Sequence, residues 1–373
     1  MLISVALGAG RLDPAAADEL LSLALSAGLE PVRTIQVRRA RQDPALFIGS
    51  GKAQEILAQI EAEPIDAVVF DTELSAVQQR NLGRQWRLPV IDRTELILDI
   101  FARRARSHEG KLQVELARLE HLSARLVRGW THLERQRGGI GVRGGPGETQ
   151  LELDRRMLGA RVRRLREQLE TLRRQRRTQR RARDRRPAFA ISLVGYTNAG
   201  KSTLFNTLTG ASTYAADQLF ATLDTLTRRV TIEPGGECVI SDTVGFVRQL
   251  PHQLVEAFAA TLEETAQSDL LLHVVDASAP DRDDQINAVS KVLDEIGASN
   301  VPQILVYNKV DRSGHDAGRA IDPCGSIAVV FVSATSGAGL DVLRGIILHH
   351  LERWRQVREL DHGGPRSAAT SNC

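Results

Sequence analysis

Apolar positions over the first hundred residues switch between short continuous runs and helical spacing. LISVAL opens as a strand. Residues 14–27, with Leu20, Leu21, Leu23 and Leu25, predict a helix, and VRTIQVRRA a strand. Residues 51–61 place Ile56, Leu57 and Ile60 on one helical face. IDAVVFD has the unbroken apolar run of a buried strand, residues 75–86 read as a helix, and PVID as a short strand. Such alternation predicts βαβ units on a parallel sheet over residues 1–105.

Between residues 106 and 186 the period changes. Leu112, Leu116, Leu119, Leu122 and Leu126 keep helical spacing, while Leu151, Leu158, Leu165 and Leu172 recur every seven residues, with Val162 and Leu169 on a second seam. Two long helices facing each other in coiled-coil fashion are expected, the second about 35 residues or about 50 Å long. The intervening GGIGVRGGPGET, residues 138–149, holds six glycines and a proline. A helix crosses such a stretch only at large cost, so it reads as the loop at the tip of a helical hairpin.

Residues 187–355 return to alternation. AFAISLVG, RRVTIE, CVISDT, LLLHVVDAS, QILVYN and AVVFVS read as strands, the second and third joined as a hairpin by PGG at 234–236. An open α/β sheet of nucleotide-binding type is expected, with ligands at the C-terminal ends of its strands. His349 and His350 read as the end of a helix, and residues 356–373 as a disordered tail.

Composition narrows the class. A chain of 373 residues, 42 % hydrophobic and 25 % charged, suits two or three globular domains and excludes a disordered polymer. Aromatic residues make up only 4 %, so the cores must be aliphatic. No apolar run approaches the ~18 residues of a membrane span, and no basic-then-apolar leader opens the chain, so neither integral insertion nor secretion is expected. The three scattered cysteines, Cys238, Cys324 and Cys373, argue against a disulfide framework and a cysteine-rich metal site, and suit a reducing cytoplasm.

The net charge of +3 hides a strong asymmetry. Residues 155–186 carry fifteen arginines against Glu167, Glu170 and Asp184, a local +12 that leaves −9 for the rest of the chain. Only five of the 49 basic residues are lysine, so arginine itself carries little message, but the clustering survives that discount. Arginines on a long rigid arm suit RNA phosphates, and a glycine-rich tip lets backbone approach RNA closely. Arg137 and Arg143 are the candidate RNA contacts. The plainer reading is a solvated charged helix with a turn.

The strongest chemical signal is Gly195-Tyr196-Thr197-Asn198-Ala199-Gly200-Lys201-Ser202, set between the strand AFAISLV and the helical TLFNTL. G-x-x-x-x-G-K-[ST] needs this strand–loop–helix setting. Its backbone N–H groups close around phosphate oxygens, and the helix N-terminus adds a favourable field. Lys201 reaches the β- and γ-phosphates and Ser202 holds Mg2+. Four further elements follow in order: Phe220-Ala221-Thr222-Leu223-Asp224, Asp242-Thr243-Val244-Gly245, Asn308-Lys309-Val310-Asp311 and Ser333-Ala334-Thr335. Thr222 can give a second Mg2+ oxygen when a γ-phosphate is present. Asp242 suits an outer-shell magnesium role, and Gly245 can offer its N–H to the γ-phosphate. Asp311 can accept two hydrogen bonds from guanine N1 and N2, whereas adenine lacks that donor pair and leaves the carboxylate desolvated and unpaired. Ser333 and Ala334 close over guanine O6 by backbone. The ordered set predicts a GTPase domain that converts GTP to GDP and phosphate, with Lys201, Thr222 and Gly245 as catalytic residues.

Beyond these motifs, LFIGSGKAQEI, DTELSAVQQRNL, VIDRTELILDIFARRARSHEGKLQVELARL, GGIGVRGGPGETQLELDRR, FATLDTLTR and DTVGFVRQLPHQLVEAF resemble the HflX family, within the Obg–HflX group of translation-factor-related GTPases. The likeness spans roughly residues 31–355. It implies a cytoplasmic, monomeric GTPase, with partial membrane association left open. Its partner would be the large ribosomal subunit and its RNA, with the tip entering the peptidyl-transferase region. Stalled or stressed ribosomes would be split, GTP favouring the bound state and hydrolysis permitting release. A GTP-gated assembly checkpoint without splitting, as in related Obg proteins, is the alternative.

Three details qualify the mechanism. The glutamine that orients water after the DxxG glycine in Ras-like enzymes is replaced by Phe246, so slow intrinsic turnover is expected, with acceleration by the ribosome. Asn198 reads two ways, as the mark of a K+ ion beside the phosphates or as a loop-shaping residue. Ile48-Gly49-Ser50-Gly51-Lys52 imitates a phosphate loop, but residue 53 is alanine and offers no hydroxyl to magnesium. ATP use through the N-terminal part, reported for some family members, is left open.

Overall fold

The computed structural model describes residues 1–8, 13–136, 150–183, 188–211, 218–232, 236–248, 254, 259–321 and 327–362. The fold is mixed α/β and divides into two units. One comprises Met1–Ala182 with Ala216–Asp224 and Gln249–Ala260; the other comprises Arg183–Ala215, Thr225–Arg248 and Thr261–Cys373. The glycine loop 138–149, Arg137 and Arg143 lie outside the described residues.

In the first unit, β1 (Leu2–Leu7), β2 (Thr34–Arg39), β3 (Val68–Phe70) and β4 (Val90–Ile91) form a four-stranded parallel sheet in the order β2-β1-β3-β4. Helices α1 (Pro14–Ser26), α2 (Ser50–Ala62), α3 (Ala76–Trp86) and α4 (Arg93–Arg104) follow its strands in turn. Helix starts have a chemical cause. Asp13 and Asp92 accept backbone N–H bonds at the starts of α1 and α4, and Ser75 with Gln78 forms a reciprocal capping box on α3. Phe47, Phe70 and Trp86 anchor the aliphatic core.

The long helices α5 (His108–Gln136) and α6 (Gln150–Arg183) follow. Leu112 and Leu116 bury against Leu165 and Leu169, with Leu119, Val162 and Leu172 packed alongside. Leu122 is exposed and lies off the seam, although the leucine spacing included it. Arg161 pairs with Glu115 at 2.6 Å and Arg166 with Glu120 at 2.7 Å, tying the two helices together at their rims.

The second unit holds a seven-stranded sheet. Its strands are β5 (Phe189–Gly195), β6 (Leu226–Ile232), β7 (Gly236–Asp242), β8 (Leu270–Asp276), β9 (Gln303–Asn308), β10 (Gly318–Ile321) and β11 (Ile327–Phe331), in the order β10-β11-β9-β8-β5-β7-β6. All neighbours are parallel except the edge strands β6 and β10. Helices α7 (Lys201–Thr209), α8 (Ala259–Ala266), α9 (Arg282–Glu295), α10 (Val310–Ser313) and α11 (Leu340–His362) accompany the strands among the described residues. Leu343, Ile346, Ile347 and Leu351 of α11 reach the aliphatic core. His349 and His350 therefore sit inside a helix, not at its end, and the tail expected from residue 356 remains helical to His362. No helix among the described residues is long and apolar enough to cross a membrane.

Candidate nucleotide site

Five strands of the second unit, β5, β7, β8, β9 and β11, run parallel and deliver their C-terminal ends to one edge of the sheet. Open α/β sheets bind ligands at that edge. The loop after β5 leads through Gly200, the N-cap of α7, into Lys201 and Ser202. Lys201 is buried, and its Nζ donates to the carbonyls of Gly195 at 3.1 Å and Tyr196 at 2.8 Å. Burial pulls its pKa down to about 8, against the opposing pull of Asp242. An ammonium held in low dielectric is poised for an anion. Ser202 Oγ donates to Asp242 Oδ2 at 2.7 Å, which brings the two residues of the expected magnesium shell together.

The Asp242–Gly245 segment lies against the phosphate loop. Thr197 N–H donates to the Phe246 carbonyl at 2.7 Å, and Phe246 N–H to that of Gly195 at 3.2 Å. A Cβ on Gly245 would stand 2.7 Å from Thr197 Cγ2 and 3.0 Å from Lys201 Nζ, so only glycine fits this approach. Thr243 Oγ1 donates to Leu193 O at 2.6 Å and Val244 is buried, fixing the strand exit. Phe246 is fully buried and offers no proton-handling group. Asn198 adopts φ 62°, a left-handed backbone that asparagine tolerates better than most residues.

The guanine motifs converge on Asn308. Its Nδ2 donates to Ala199 O and its Oδ1 accepts from Ala334 N, both at 2.9 Å, so one buried amide ties three loops together. Ser333 Oγ donates to Asp311 Oδ1 at 2.5 Å and lies 3.1 Å from Thr335 Oγ1, orienting the carboxylate. Val310 is buried beneath, and Lys309 takes φ 64°. Lys309 Nζ pairs with Asp276 at 2.8 Å. Burial alone would raise the Asp276 carboxyl, but bonds from Lys309 and Ser278 hold it below its ordinary range. Sequence reasoning passed over Asp276; its signal was a carboxylate ending the apolar run LLLHVV.

Residues 218–224 belong to the first unit. Phe220 packs edge-on against Phe101 with centroids 4.6 Å apart, and Leu219 N–H donates to Ser26 Oγ at 3.1 Å. Thr222 and Leu223 are buried and Ala221 half-buried. Asp224 accepts from the backbone N–H groups of Arg106 and Ser107, each at 2.9 Å. The side chains of Phe220 and Asp224, read as nucleotide ligands from their motif, are thus committed to α4 and the start of α5.

Two other sites were candidates. Lys52, in the segment that imitates a phosphate loop, lies in the first turn of α2 and pairs with Glu55 at 2.5 Å. Asp92, Glu95 and His121 cluster as metal ligands would, but Arg125 bridges the two carboxylates at 2.9 and 3.1 Å and already supplies their positive charge. On the arm, Arg155, Arg163 and Arg164 are exposed.

The chain matches known proteins over most of its length. Residues 15–102 match the family described as GTP-binding GTPase N-terminal, 104–183 the GTP-binding GTPase Middle Region, and 190–309 the 50S ribosome-binding GTPase family. GTPase HflX of Escherichia coli K12 is 53 % identical over 327 residues, 87 % of this chain and 76 % of its own. GTPase HflX of Caldanaerobacter subterraneus is 45 % identical over 340 residues, covering 91 % and 78 %. A GTP-binding protein of Sulfolobus solfataricus solved with GDP is 24 % identical, with 94 % of this chain and 99 % of that one covered and a TM-score of 0.47. The identity to the HflX proteins, over most of both chains, assigns the protein: it belongs to the HflX family and is a GTPase.

Proposed function

We propose that this GTPase binds the large ribosomal subunit through its helical hairpin, in its GTP form, and splits stalled or stressed ribosomes. GTP hydrolysis then permits release. The arm carries the reading: α6 presents exposed arginines from a block of local charge +12, held rigid by a leucine seam against α5. Such a surface fits RNA phosphates. The family matched by residues 190–309 is described as 50S ribosome-binding, which agrees. Arg137 and Arg143 at the glycine tip are the proposed contacts with ribosomal RNA.

At the nucleotide, Lys201 neutralises charge on the β- and γ-phosphates, Gly245 offers its N–H to the γ-phosphate, and Asn308 and Asp311 select guanine, with Ser333, Ala334 and Thr335 closing over the base. The hydroxyl of Ser202, held by the Asp242 carboxylate, is a hard-oxygen donor set of the kind Mg2+ takes. Ser202 and Thr222 would hold the ion, which when bound offsets negative charge on the phosphate oxygens. Phe246 leaves the attacking water without a side-chain partner, so turnover is slow until the ribosome completes the site. The left-handed backbone of Asn198 already accounts for that residue, and turnover compared in KCl and NaCl tests whether K+ acts as well.

Cosedimentation with large subunits under GTP, GDP and a non-hydrolysable analogue tests the binding. Retention with GTP and the analogue, and release with GDP, is expected; equal binding in all three sinks the proposal. On sucrose gradients, disappearance of the intact-ribosome peak supports splitting, whereas an unchanged peak with GTP-dependent binding favours an assembly checkpoint.

A further inference from the structure

Residues 106–111 and 218–224 meet in one arrangement that the chemistry of the nucleotide site does not require. Ser107 precedes the first residue of α5, and its Oγ accepts from Gly110 N–H at 2.9 Å, as a helix N-cap does. In a capping box, a glutamate or glutamine at the position of Gly110 would reach back to the Ser107 N–H. Here Asp224, 117 residues away in sequence, does so. Its carboxylate accepts from the amides of Arg106 and Ser107 and from the Ser107 hydroxyl. Gly110 is bare for a reason: a Cβ there would collide with Asp224 Oδ1. The cap of the arm's first helix is therefore completed by a carboxylate that lies two residues from Thr222. On the other side of Thr222, Phe220 is locked edge-on against Phe101.

We propose that Asp224 is a positioning residue, the joint through which the nucleotide sets the state of the arm. The inference rests on the γ-phosphate-sensing role proposed for Thr222. Any displacement of Thr222 toward a phosphate draws on Asp224, and a carboxylate withdrawn from Ser107 leaves the start of α5 with unsatisfied amides and an uncompensated positive helix end. Coupling is reciprocal, so a partner that shifts the arm also shifts nucleotide affinity.

Hydrogen exchange on the full chain reads the joint directly. In the unmodified protein, the amides of Arg106 and Ser107 are expected to exchange at rates at least about fivefold apart between GDP and a non-hydrolysable GTP analogue, the lower end of ordinary allosteric couplings. Ser107→Ala and Gly110→Ala should erase this difference while leaving basal GTP turnover unchanged. Equal exchange in both nucleotide states of the unmodified protein, or a difference that survives in both variants, overturns the proposal. A chain that failed to bind large subunits would sink the ribosomal reading and leave the exchange result standing.

Discussion

The Ser202 hydroxyl donates to the Asp242 carboxylate at 2.7 Å, joining the first turn of α7 to the end of β7. Two motifs 40 residues apart are thereby fixed as one oxygen donor set. Outer-shell partners of this kind orient the ligating group, and their removal typically costs 10–100-fold in metal affinity or activity. Asp242→Asn keeps an acceptor but removes the charge. It should raise the Mg2+ concentration at half-maximal GTP turnover by roughly 10–100-fold. A Mg2+ titration with an unmoved midpoint would show that Asp242 plays no part in holding the ion.

Base selection should reside in Asp311, whose orientation Ser333 sets. Two charge-assisted hydrogen bonds to guanine, at about 1.5 kcal/mol each, correspond to roughly 100-fold in affinity. Asp311→Asn should lose about that much GTP affinity and gain affinity for xanthosine triphosphate, whose O2 can accept from the new amide. Asn308→Ala should behave differently. It frees the Ala199 and Ala334 loops together, weakening GTP and GDP alike. Fluorescent-nucleotide titrations separate the cases, and an Asp311→Asn protein with unchanged GTP preference would refute the assignment.

The order and spacing of the GTPase motifs were legible because most of them sit at a strand end, where an apolar run stops at a polar residue. The hairpin was legible because Leu165 and Leu169 repeat at a helical period that a facing helix explains. Other features had no local signal. The start of α4 buries Asp92, Arg93 and Thr94, polar residues that break an apolar pattern and are stabilised by Glu19 and Arg125 from other helices. Edge strand β10 is short and opens on a glycine. Asp224 looked like part of a phosphate-sensing loop because its neighbours do; its bond to Ser107 spans 117 residues and leaves no periodic trace.

The buried Lys201 makes nucleotide binding proton-linked. Its pKa in the folded domain is about 8, below the ordinary 10.5, so above pH 8 the side chain is increasingly neutral. A bound triphosphate favours the ammonium, and binding there must take up a proton. GTP affinity should be nearly flat below pH 8 and fall by up to about tenfold per pH unit above it. Stability runs the other way: between pH 8 and 10.5 the unfolded chain binds this proton more readily than the unliganded folded domain, so Lys201 makes the folded domain more stable as pH rises across that window. Calorimetry at about pH 9 in two buffers of different ionisation enthalpy should show uptake approaching one proton per GTP, against almost none at about pH 7. Zero uptake at the higher pH would place Lys201 away from the phosphates.

Arginines of α6 fall into two classes with different expected costs. Arg161 and Arg166 are held by Glu115 and Glu120, so reversing their charge should loosen the hairpin, by up to about 1 kcal/mol for such exposed pairs, and lower its melting temperature. Arg163 and Arg164 are exposed between them on the same helix. Reversing these two should leave melting unchanged and weaken binding to large subunits. Every arginine–phosphate pair removed reduces the slope of log affinity against log salt by about one. The double variant Arg163→Glu, Arg164→Glu should therefore lower that slope by about two across a KCl series, with GTP turnover of the free protein unaltered. A slope identical to that of the unmodified chain would mean that this face of the arm does not meet RNA, and that the +12 block serves only as a solvated surface.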